Sequence, residues 1–240
     1  MIAVNEAGAS PFLLLGDHAG RAIPARLNDL GLPAQAMDQH IAWDIGVAGL
    51  GERMARILDA CFIQQAYSRL VIDCNRRPGA VDRFPVVSDG QTIPGNADLD
   101  AAGAAARERE IYRPYQSRIA EALDHRQAAG RRTLLVSLHS FTPMFQGVPR
   151  PWRFGVLHRG DSALSDRMLS LLRQHLGGAV GDNRPYAMDG TDNTVPLHAD
   201  PRGLDYLELE TRQDLIADAH GQGGVAKMIA RLLARALIAL

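Results

Sequence analysis

The chain has 240 residues, of which 46% are hydrophobic and 22% are charged, and its formal net charge is −1. This composition is typical of a globular protein with a substantial core, and the near-zero charge gives no general attraction to nucleic acid or to an anionic membrane. No apolar run approaches the roughly 20 residues of a membrane span, and the first residues lack the pattern of a secretory signal. We therefore expect a cytoplasmic protein without nucleic-acid or membrane partners.

Several reaction types have no support in the residue inventory. Lys227 is the only lysine, which excludes a catalytic lysine almost everywhere in the chain. The two cysteines, Cys61 and Cys74, are too few for a disulfide scaffold and lack zinc-knuckle spacing. There is no GxSxG elbow for a serine hydrolase, and neither a P-loop nor a GxGxxG turn for a nucleotide.

The first half of the chain contains three predicted strands and one predicted helix. Short apolar runs at 11–16, 62–66 and 70–73 are typical of buried strands. Apolar residues at near-helical spacing predict a helix over 37–60. Residues 77–99 are rich in Pro, Gly, Asp and Asn, which indicates a long surface loop of the kind that is often functional.

The second half alternates helices with strands. A long helix is predicted over 100–129, with a break expected at Pro114. The run TLLVSL at 133–138 is the clearest central strand, and a polar stretch at 181–203 predicts a second long loop. The remaining predicted elements are a strand at 153–157, a helix at 162–176, a strand at 206–210 and a final helix from about 224.

This alternation predicts a single α/β domain over residues 1–240, with a mixed, largely parallel sheet covered by helices on both faces. In such sheets, ligands bind at the carboxyl ends of the strands. His18, Asn75, Arg76 and His139 each follow the end of a predicted strand. We therefore expect one functional site at that edge of the sheet.

Two histidines are candidate metal ligands. His18, in GDHAG, can present a ring nitrogen to a metal, although a hydrogen bond to a backbone carbonyl is the more common role of a loop histidine. His139 ends a strongly apolar strand, so its ring requires either a metal or a structural hydrogen bond.

A third histidine is paired in the sequence with an aspartate. His40 and Asp44 are four residues apart on the predicted helix and would share one face. Such a pair can supply two metal ligands, or the aspartate can orient the histidine. The alternative is a weak surface ion pair.

Arginines and an asparagine cluster in SRLVIDCNRRP. The Asn75–Arg76 step offers an amide and a planar guanidinium, which together can hold a carboxylate. Arg69 precedes this step and Arg77 follows it, and a solvated surface position is the alternative for these two arginines. Arg76, which follows the strand and is close to Pro78, is the better candidate for binding a carboxylate.

Two glutamates alternate with leucines in the last predicted strand. Glu208 and Glu210 therefore share one face of that strand, and one of them is expected to act as a general base beside a metal. The alternative is a polar face paired with nearby arginines. His198 lies in the polar stretch before the strand, where it could close over a substrate or be an ordinary loop residue.

Together, the segments GDHAG, HIAWDIG, YSRLVIDCNRRP, VSLHSFTP and LELETRQDL resemble the N-formylglutamate amidohydrolase family, over nearly the whole chain and in the same order. The family is distantly similar to zinc carboxypeptidases and aspartoacylases. The resemblance implies a zinc-exopeptidase-like domain with one Zn²⁺ per chain. It also implies hydrolysis of a small carboxylate-bearing N-acyl amino acid such as N-formylglutamate.

The resemblance also implies roles for individual residues. It makes His18 and His139 zinc ligands, Glu210 the general base, and the Asn75–Arg76 step the clamp for a substrate carboxylate. Arg69 and His198 are the candidate donors to the oxyanion.

One position departs from the exopeptidase pattern. Arg21 stands where those enzymes have a glutamate ligand. Asp44 is the best replacement, with His40 as its substitute or orienting partner. A carboxypeptidase-like enzyme, another deacylase, and a non-catalytic metal- or acid-binding protein remain alternatives.

Overall fold

A seven-stranded mixed sheet forms the centre of the computed structural model, which describes residues 1–240. The strands are, in chain order, β1 (Ile2–Val4), β2 (Phe12–Gly16), β3 (Cys61–Gln64), β4 (Val87–Ser88), β5 (Gln91–Thr92), β6 (Leu134–Phe141), β7 (Met144–Phe145), β8 (Val148–Pro149), β9 (Phe154–Leu157), β10 (Val180–Asp182) and β11 (Tyr206–Arg212). The helices are α1 (Val47–Leu58), α2 (Pro94–Ala97), α3 (Ala101–Arg107), α4 (Arg113–Ala128), α5 (Ala163–Leu176), α6 (Thr194–Ala199) and α7 (Ala219–Leu237).

The central sheet has the order β1-β3-β2-β6-β11-β9-β10. Strands β3, β2, β6 and β11 are mutually parallel, whereas β1 and the β9–β10 pair run in the opposite direction. The carboxyl ends of four adjacent strands therefore meet at one edge near the middle of the sheet, where the α/β rule places ligands.

The side chains of β2 show why the sequence reads there as a continuous apolar run. Phe12 and Leu14 belong to one buried cluster, and Leu13 and Leu15 belong to another on the opposite face. Both faces of the strand are buried, so no polar position alternates with the apolar ones. Helices α1, α5 and α7 contribute to the first cluster, and α4 contributes to the second. The predicted α/β class with helices on both faces is thus confirmed.

Most predicted elements occur at the expected places. The strands predicted at 11–16, 62–66, 133–138, 153–157 and 206–210 correspond to β2, β3, β6, β9 and β11. The long helix predicted over 100–129 is present as α3 and α4, joined by a π-helical turn at Glu108–Tyr112. That turn ends two residues before Pro114, which cannot donate a helical hydrogen bond. Helix α7 begins five residues earlier than expected, since Asp218 caps its first turn by accepting from Gly221 N.

The predicted helix over 37–60 is wrong in its first half. A 3-10 turn occupies Ala34–Asp38, and α1 begins only at Val47. Gly46 has a φ of +86°, a left-handed conformation that does not continue a helix. The amide of Asp44 donates instead to the carbonyl oxygen of His18 at 2.8 Å. His40 and Asp44 therefore do not share a helix face.

The predicted strand at 70–73 is also wrong. The segment is fully buried but has no strand partner, and side chains from elsewhere bind its carbonyl groups. Asn96 Nδ2 donates to Leu70 O, and an Arg107 nitrogen donates to Val71 O, each at 2.9 Å. These bonds replace the sheet ladder that a buried backbone would otherwise require.

The two predicted loops contain short regular elements. The 77–99 excursion holds the β4–β5 hairpin and α2, and the 181–203 stretch holds α6. A second hairpin, β7–β8, follows β6. None of the helices combines the length and apolar character that a membrane span requires.

Candidate active site

A cavity of about 360 Å³ opens at the carboxyl ends of the central strands, a volume within the range of small-molecule sites. The alternation of β11 explains why its wall is polar. Leu207 and Leu209 face one core cluster, so Glu208 and Glu210 project from the opposite face of the same strand, into the cavity. Ser137 and His139 of β6 are the register partners of these two glutamates.

His18 follows β2 and is 3% exposed. Its Nε2 lies 2.7 Å from Asp73 Oδ1, whereas its Nδ1 is buried without a hydrogen-bond partner. A carboxylate that accepts from one ring nitrogen leaves the lone pair of the other nitrogen available. The Nδ1 atom of His18 is therefore the one suited to a metal.

Asp44 stands between the two histidines. Its Oδ2 is 3.0 Å from His139 Nδ1 and 3.7 Å from His18 Nδ1, and it accepts from Ser140 N at 3.1 Å. Burial opposes ionisation of the carboxyl group, but the neighbouring His18 and His139 rings outweigh it and hold the pKa of Asp44 below its usual range.

His139 completes the cluster from within β6, not from beyond the end of a strand. The ring is 4% exposed, and its Nε2 faces Ser137 Oγ at 3.1 Å and Asp17 Oδ2 at 3.6 Å. Its Nδ1 is directed towards Asp44. As in His18, the Nε2 atom faces polar partners on the side of the ring away from Asp44 and leaves Nδ1 for a metal.

These three side chains fit a metal ion. One ligand atom from each of His18, Asp44 and His139 lies within 4.8 Å of the others, and all three residues are buried. Two imidazoles and one carboxylate form a donor set that zinc accepts, with a fourth position open in catalytic sites. The unpartnered Nδ1 of His18 gives an independent indication that the cluster is built to hold an ion.

Both glutamates of β11 are buried, and each has one carboxyl oxygen without a hydrogen-bond partner. Burial raises the pKa of Glu210 to about 7, with the nearby His139 opposing the shift. Burial and the neighbouring Asp192 raise the pKa of Glu208 well above its usual range. A carboxyl group with a pKa near neutrality can exchange protons with substrate.

Arg69 lines the cavity beside the histidine cluster. One guanidinium nitrogen donates to Asp73 Oδ2 at 2.6 Å, and another lies 3.7 Å from Asp44 Oδ1. Its side chain retains 28% exposure, so a part of the guanidinium still faces the cavity.

Asn75 and Arg76 also line the cavity, but their side chains have different hydrogen-bond partners. The side-chain oxygen of Asn75 accepts from the backbone nitrogens of Asn193 and Thr194, and its Nδ2 donates to Asp192 at 3.3 Å. Asn75 therefore positions the segment that precedes α6. Arg76 donates to the exposed carboxylate of Asp82 at 2.6 Å.

The structure does not place His198 at the cavity. The residue lies on α6 instead of a loop, is 3% exposed, and has Nε2 2.7 Å from Gln116 Oε1. Burial lowers its pKa to about 4, so the ring is neutral. The side chain is enclosed by α4 and α6 and does not line the cavity, so its contact with substrate stays a prediction.

His40 and Arg21 lie at the periphery. His40 lines the cavity mouth and pairs at 3.3 Å with Asp89, at the tip of the β4–β5 hairpin, so it neither orients nor replaces Asp44. Arg21 forms an exposed ion pair with Asp38, away from the cavity-lining residues.

Two carboxylates behind the cluster were missed by the sequence analysis. Asp17 accepts from Thr194 Oγ1 at 2.7 Å and faces His139, and Asp73 holds both His18 and Arg69. Each is an acidic residue at the end of an apolar run, LLLGD and LVID. A buried aspartate requires a partner, and that requirement was the available signal.

Comparison with known protein families identifies the family of this chain. Residues 10–217 match the N-formylglutamate amidohydrolase family. The chain belongs to the N-formylglutamate amidohydrolase family. It is accordingly a hydrolase of amide bonds, and the resemblance seen in the sequence motifs is confirmed.

Two solved structures resemble this chain in fold. A gene product of Agrobacterium tumefaciens is 38% identical with a TM-score of 0.95, and the match covers 99% of this chain and 94% of the other. An N-formylglutamate amidohydrolase from Ralstonia eutropha is 21% identical with a TM-score of 0.65, covering 95% and 93% of the two chains. The second likeness shows the fold alone. No curated protein matches the sequence.

Proposed function

We propose that this family member is a zinc-dependent enzyme that hydrolyses the amide bond of a small N-acyl amino acid, with N-formylglutamate as the leading substrate. The observation that carries the proposal is the buried His18, Asp44 and His139 cluster, which shares a cavity with a glutamate whose pKa burial raises to about 7. Residues 1–240 would then form one catalytic domain.

His18, Asp44 and His139 would hold the zinc ion. Bound there, zinc would supply Lewis acidity towards water and the amide carbonyl oxygen. Asp73 and Asp17 would fix the two imidazole rings from behind.

Glu210 is the proposed general base. It lies on β11 beside His139 of β6, the two residues being register partners. It would take a proton from the attacking water and deliver it to the leaving nitrogen, so that the carboxylate is regenerated after each turnover. Gly155 of β9 is paired with Glu210 on its other side. A Cβ at that glycine would come within 3.3 Å of the Glu210 Cβ.

Two arginines supply positive charge around the reacting group. Arg69 would stabilise the negative charge that develops on the carbonyl oxygen, because it is held beside the cluster by Asp73. Arg76, placed by Asn75 and Asp82, would bind the substrate carboxylate.

The test is hydrolysis of N-formylglutamate by the purified protein, together with its metal content. We expect one zinc per chain and activity that a chelator abolishes. Glu210→Gln should retain zinc and lose activity by a factor of about 10² or more, whereas His139→Ala should lose both. His125→Ala, at an exposed position on α4, is the matched control and should retain both.

The outcomes separate the remaining alternatives. An active Glu210→Gln protein would make Glu208 the base. Turnover of peptides or of other N-acyl amino acids instead of N-formylglutamate would favour a carboxypeptidase-like or broader deacylase. Bound zinc without turnover on any such compound would favour a binding protein.

A further inference from the structure

Glu208 is a buried carboxyl group that the proposed reaction does not use. Its side chain lines the cavity, the residue is 2% exposed, and its Oε2 has no hydrogen-bond partner. A buried polar atom without a partner is costly, so this atom requires an explanation beyond packing.

The surroundings of Glu208 are acidic. Asp192 and Asp189 line the same cavity, and Asp192 is only 7% exposed. The oxygens of Asp192 accept from Asn75 Nδ2 at 3.3 Å and from Asp189 N at 3.2 Å, both of which are neutral donors. Burial raises the pKa of Asp192. Neither Glu208 nor Asp192 forms a salt bridge, and the charges of His139 and Arg76 oppose only part of the effect of burial on the pKa of Asp192.

Arg76, the arginine whose charge acts on Asp192, would bind the substrate carboxylate in the proposed reaction and is therefore not free to pair with Glu208. Arg76 donates to Asp82 at 2.6 Å and to its neighbour's carbonyl oxygen. A second substrate carboxylate placed against Glu208 and Asp192 would meet like charges or would require both groups to remain protonated. A ligand group that carries a positive charge and N–H donors would fit best against Glu208 and Asp192.

The position of Glu208 indicates which group that is. Glu208 and Glu210 project from the same face of β11, two residues and so about 7 Å apart along the strand. A nitrogen that accepts a proton from Glu210 would therefore be released on the face of β11 that also carries Glu208. At neutral pH that amine takes a further proton and becomes an ammonium ion, while the acyl part becomes a carboxylate.

We propose that Glu208, with Asp192, forms a subsite for the ammonium group of the released amino acid. The inference rests on the proposed amide hydrolysis and adds a substrate-binding residue to it. The subsite favours departure of the nitrogen as a cation, and it makes the free amino acid a product inhibitor that is held by its amino group.

Two alternative ligands fit less well. A second zinc ion would find no imidazole or thiolate on this wall, and a harder divalent cation would require about six oxygen ligands beside the guanidinium of Arg76. A water molecule would fill the hydrogen bond but would leave the acidic group without a compensating charge.

The experiment compares the binding of L-glutamate and of glutarate, which lacks the amino group, to the zinc-loaded full chain by calorimetry. We expect glutamate to bind at least about tenfold more tightly, since a desolvated ammonium–carboxylate pair is worth more than 1.4 kcal/mol. In Glu208→Gln that preference should fall below about threefold, because the amide carries no charge. Glutarate should bind both proteins equally.

Controls keep this test independent of folding and of the proposed function. Glu121→Gln, at an exposed position on α4, should keep the wild-type preference, and Asp192→Asn should lower it if Glu208→Gln proves unstable. A preference that survives both cavity variants, no preference in the wild type, no binding of either compound, or a second metal per chain would each overturn the proposal. If N-formylglutamate is not hydrolysed but the preference for amines is present, only the proposed reaction fails.

Discussion

At the scale of single residues, the orientation of His18 and His139 depends on the polar side chains that contact their Nε2 atoms. The Nε2 atom of His18 is committed to Asp73, and that of His139 faces Ser137 and Asp17. The two Nδ1 atoms are therefore directed to the same place, beside Asp44. Two buried carboxylates fix the ring orientations, an arrangement that raises the basicity of metal-bound imidazoles.

The Asp73 contact leads to a prediction about metal affinity. Asp73→Asn should weaken zinc binding by about 10- to 100-fold, because the asparagine cannot accept from both His18 and Arg69 with a full negative charge. Competition with a chromophoric chelator measures the affinity. Asp38→Asn, at an exposed ion pair with Arg21, should leave it unchanged. Equal affinities of the two variants would contradict this account of His18.

Glu210 leads to a prediction about pH. A general base acts only when ionised, and burial raises the pKa of this carboxyl to about 7. The value of kcat/KM should therefore fall as the pH decreases through 7, with a slope of one on a logarithmic plot. The positive charge of a bound metal would move the midpoint lower, never higher. A profile that is flat from pH 8 to below about 5 would show that no group with a raised pKa is required.

At the scale of elements, the buried segment 70–73 shows where sequence patterns are insufficient. Its apolar run is indistinguishable from that of a strand, but its carbonyl groups are bound by side chains of Asn96 and Arg107. Those partners lie 26 and 36 residues away, and no local pattern indicates them. Asp73 and Asn75 owe their positions to this segment, so the site depends on side chains distant from it.

Arg107 is the residue that tests this dependence. Its guanidinium donates to Val71 O, Asn96 Oδ1 and Gly95 O. Arg107→Met should lower the free energy of unfolding by about 2–4 kcal/mol, since two buried acceptors and one partly buried acceptor would lose their donor. Denaturant unfolding measures the change.

The control for that change is a neighbouring arginine. Arg109→Met removes a side chain that is 64% exposed and should alter the unfolding free energy by less than about 0.5 kcal/mol. If the two variants unfolded alike, the side chain of Arg107 would not be what holds the buried segment in place.

The other sequence predictions were confirmed where a local pattern determines the structure, and they were not where distant contacts or backbone turns determine it. Strands β2 and β6 were predictable from their continuous apolar runs, and β11 was predictable from its alternating leucines and glutamates. The false first half of the 37–60 helix arose because apolar spacing does not reveal the left-handed turn at Gly46. His198 could not be assigned, since only the packing of α4 against α6 encloses it.

At the scale of the whole molecule, the candidate site draws on segments that are far apart in the chain. His18, Asp44, His139 and Glu210 span almost two hundred residues and come together only because β2, β6 and β11 are neighbours in the sheet. The sequence analysis placed His18 and His139 at one edge through the α/β rule. It could not predict the order of the strands in the sheet. It therefore could not show that Asp17 faces His139, whereas Asp73 is hydrogen-bonded to His18.

The two hairpins have a different relation to the fold. Strands β4 and β5 pair only with each other, as do β7 and β8, and each hairpin turns through residues with positive φ, Asp89–Gly90 and Gln146–Gly147. Asp89 of the β4–β5 hairpin pairs with His40, which lies at the mouth of the cavity. Neither hairpin shares a hydrogen-bond ladder with the central sheet. Descendants of this protein can therefore lengthen, shorten or exchange these hairpins while inheriting the histidine cluster intact, so new substrate ranges can evolve at the entrance.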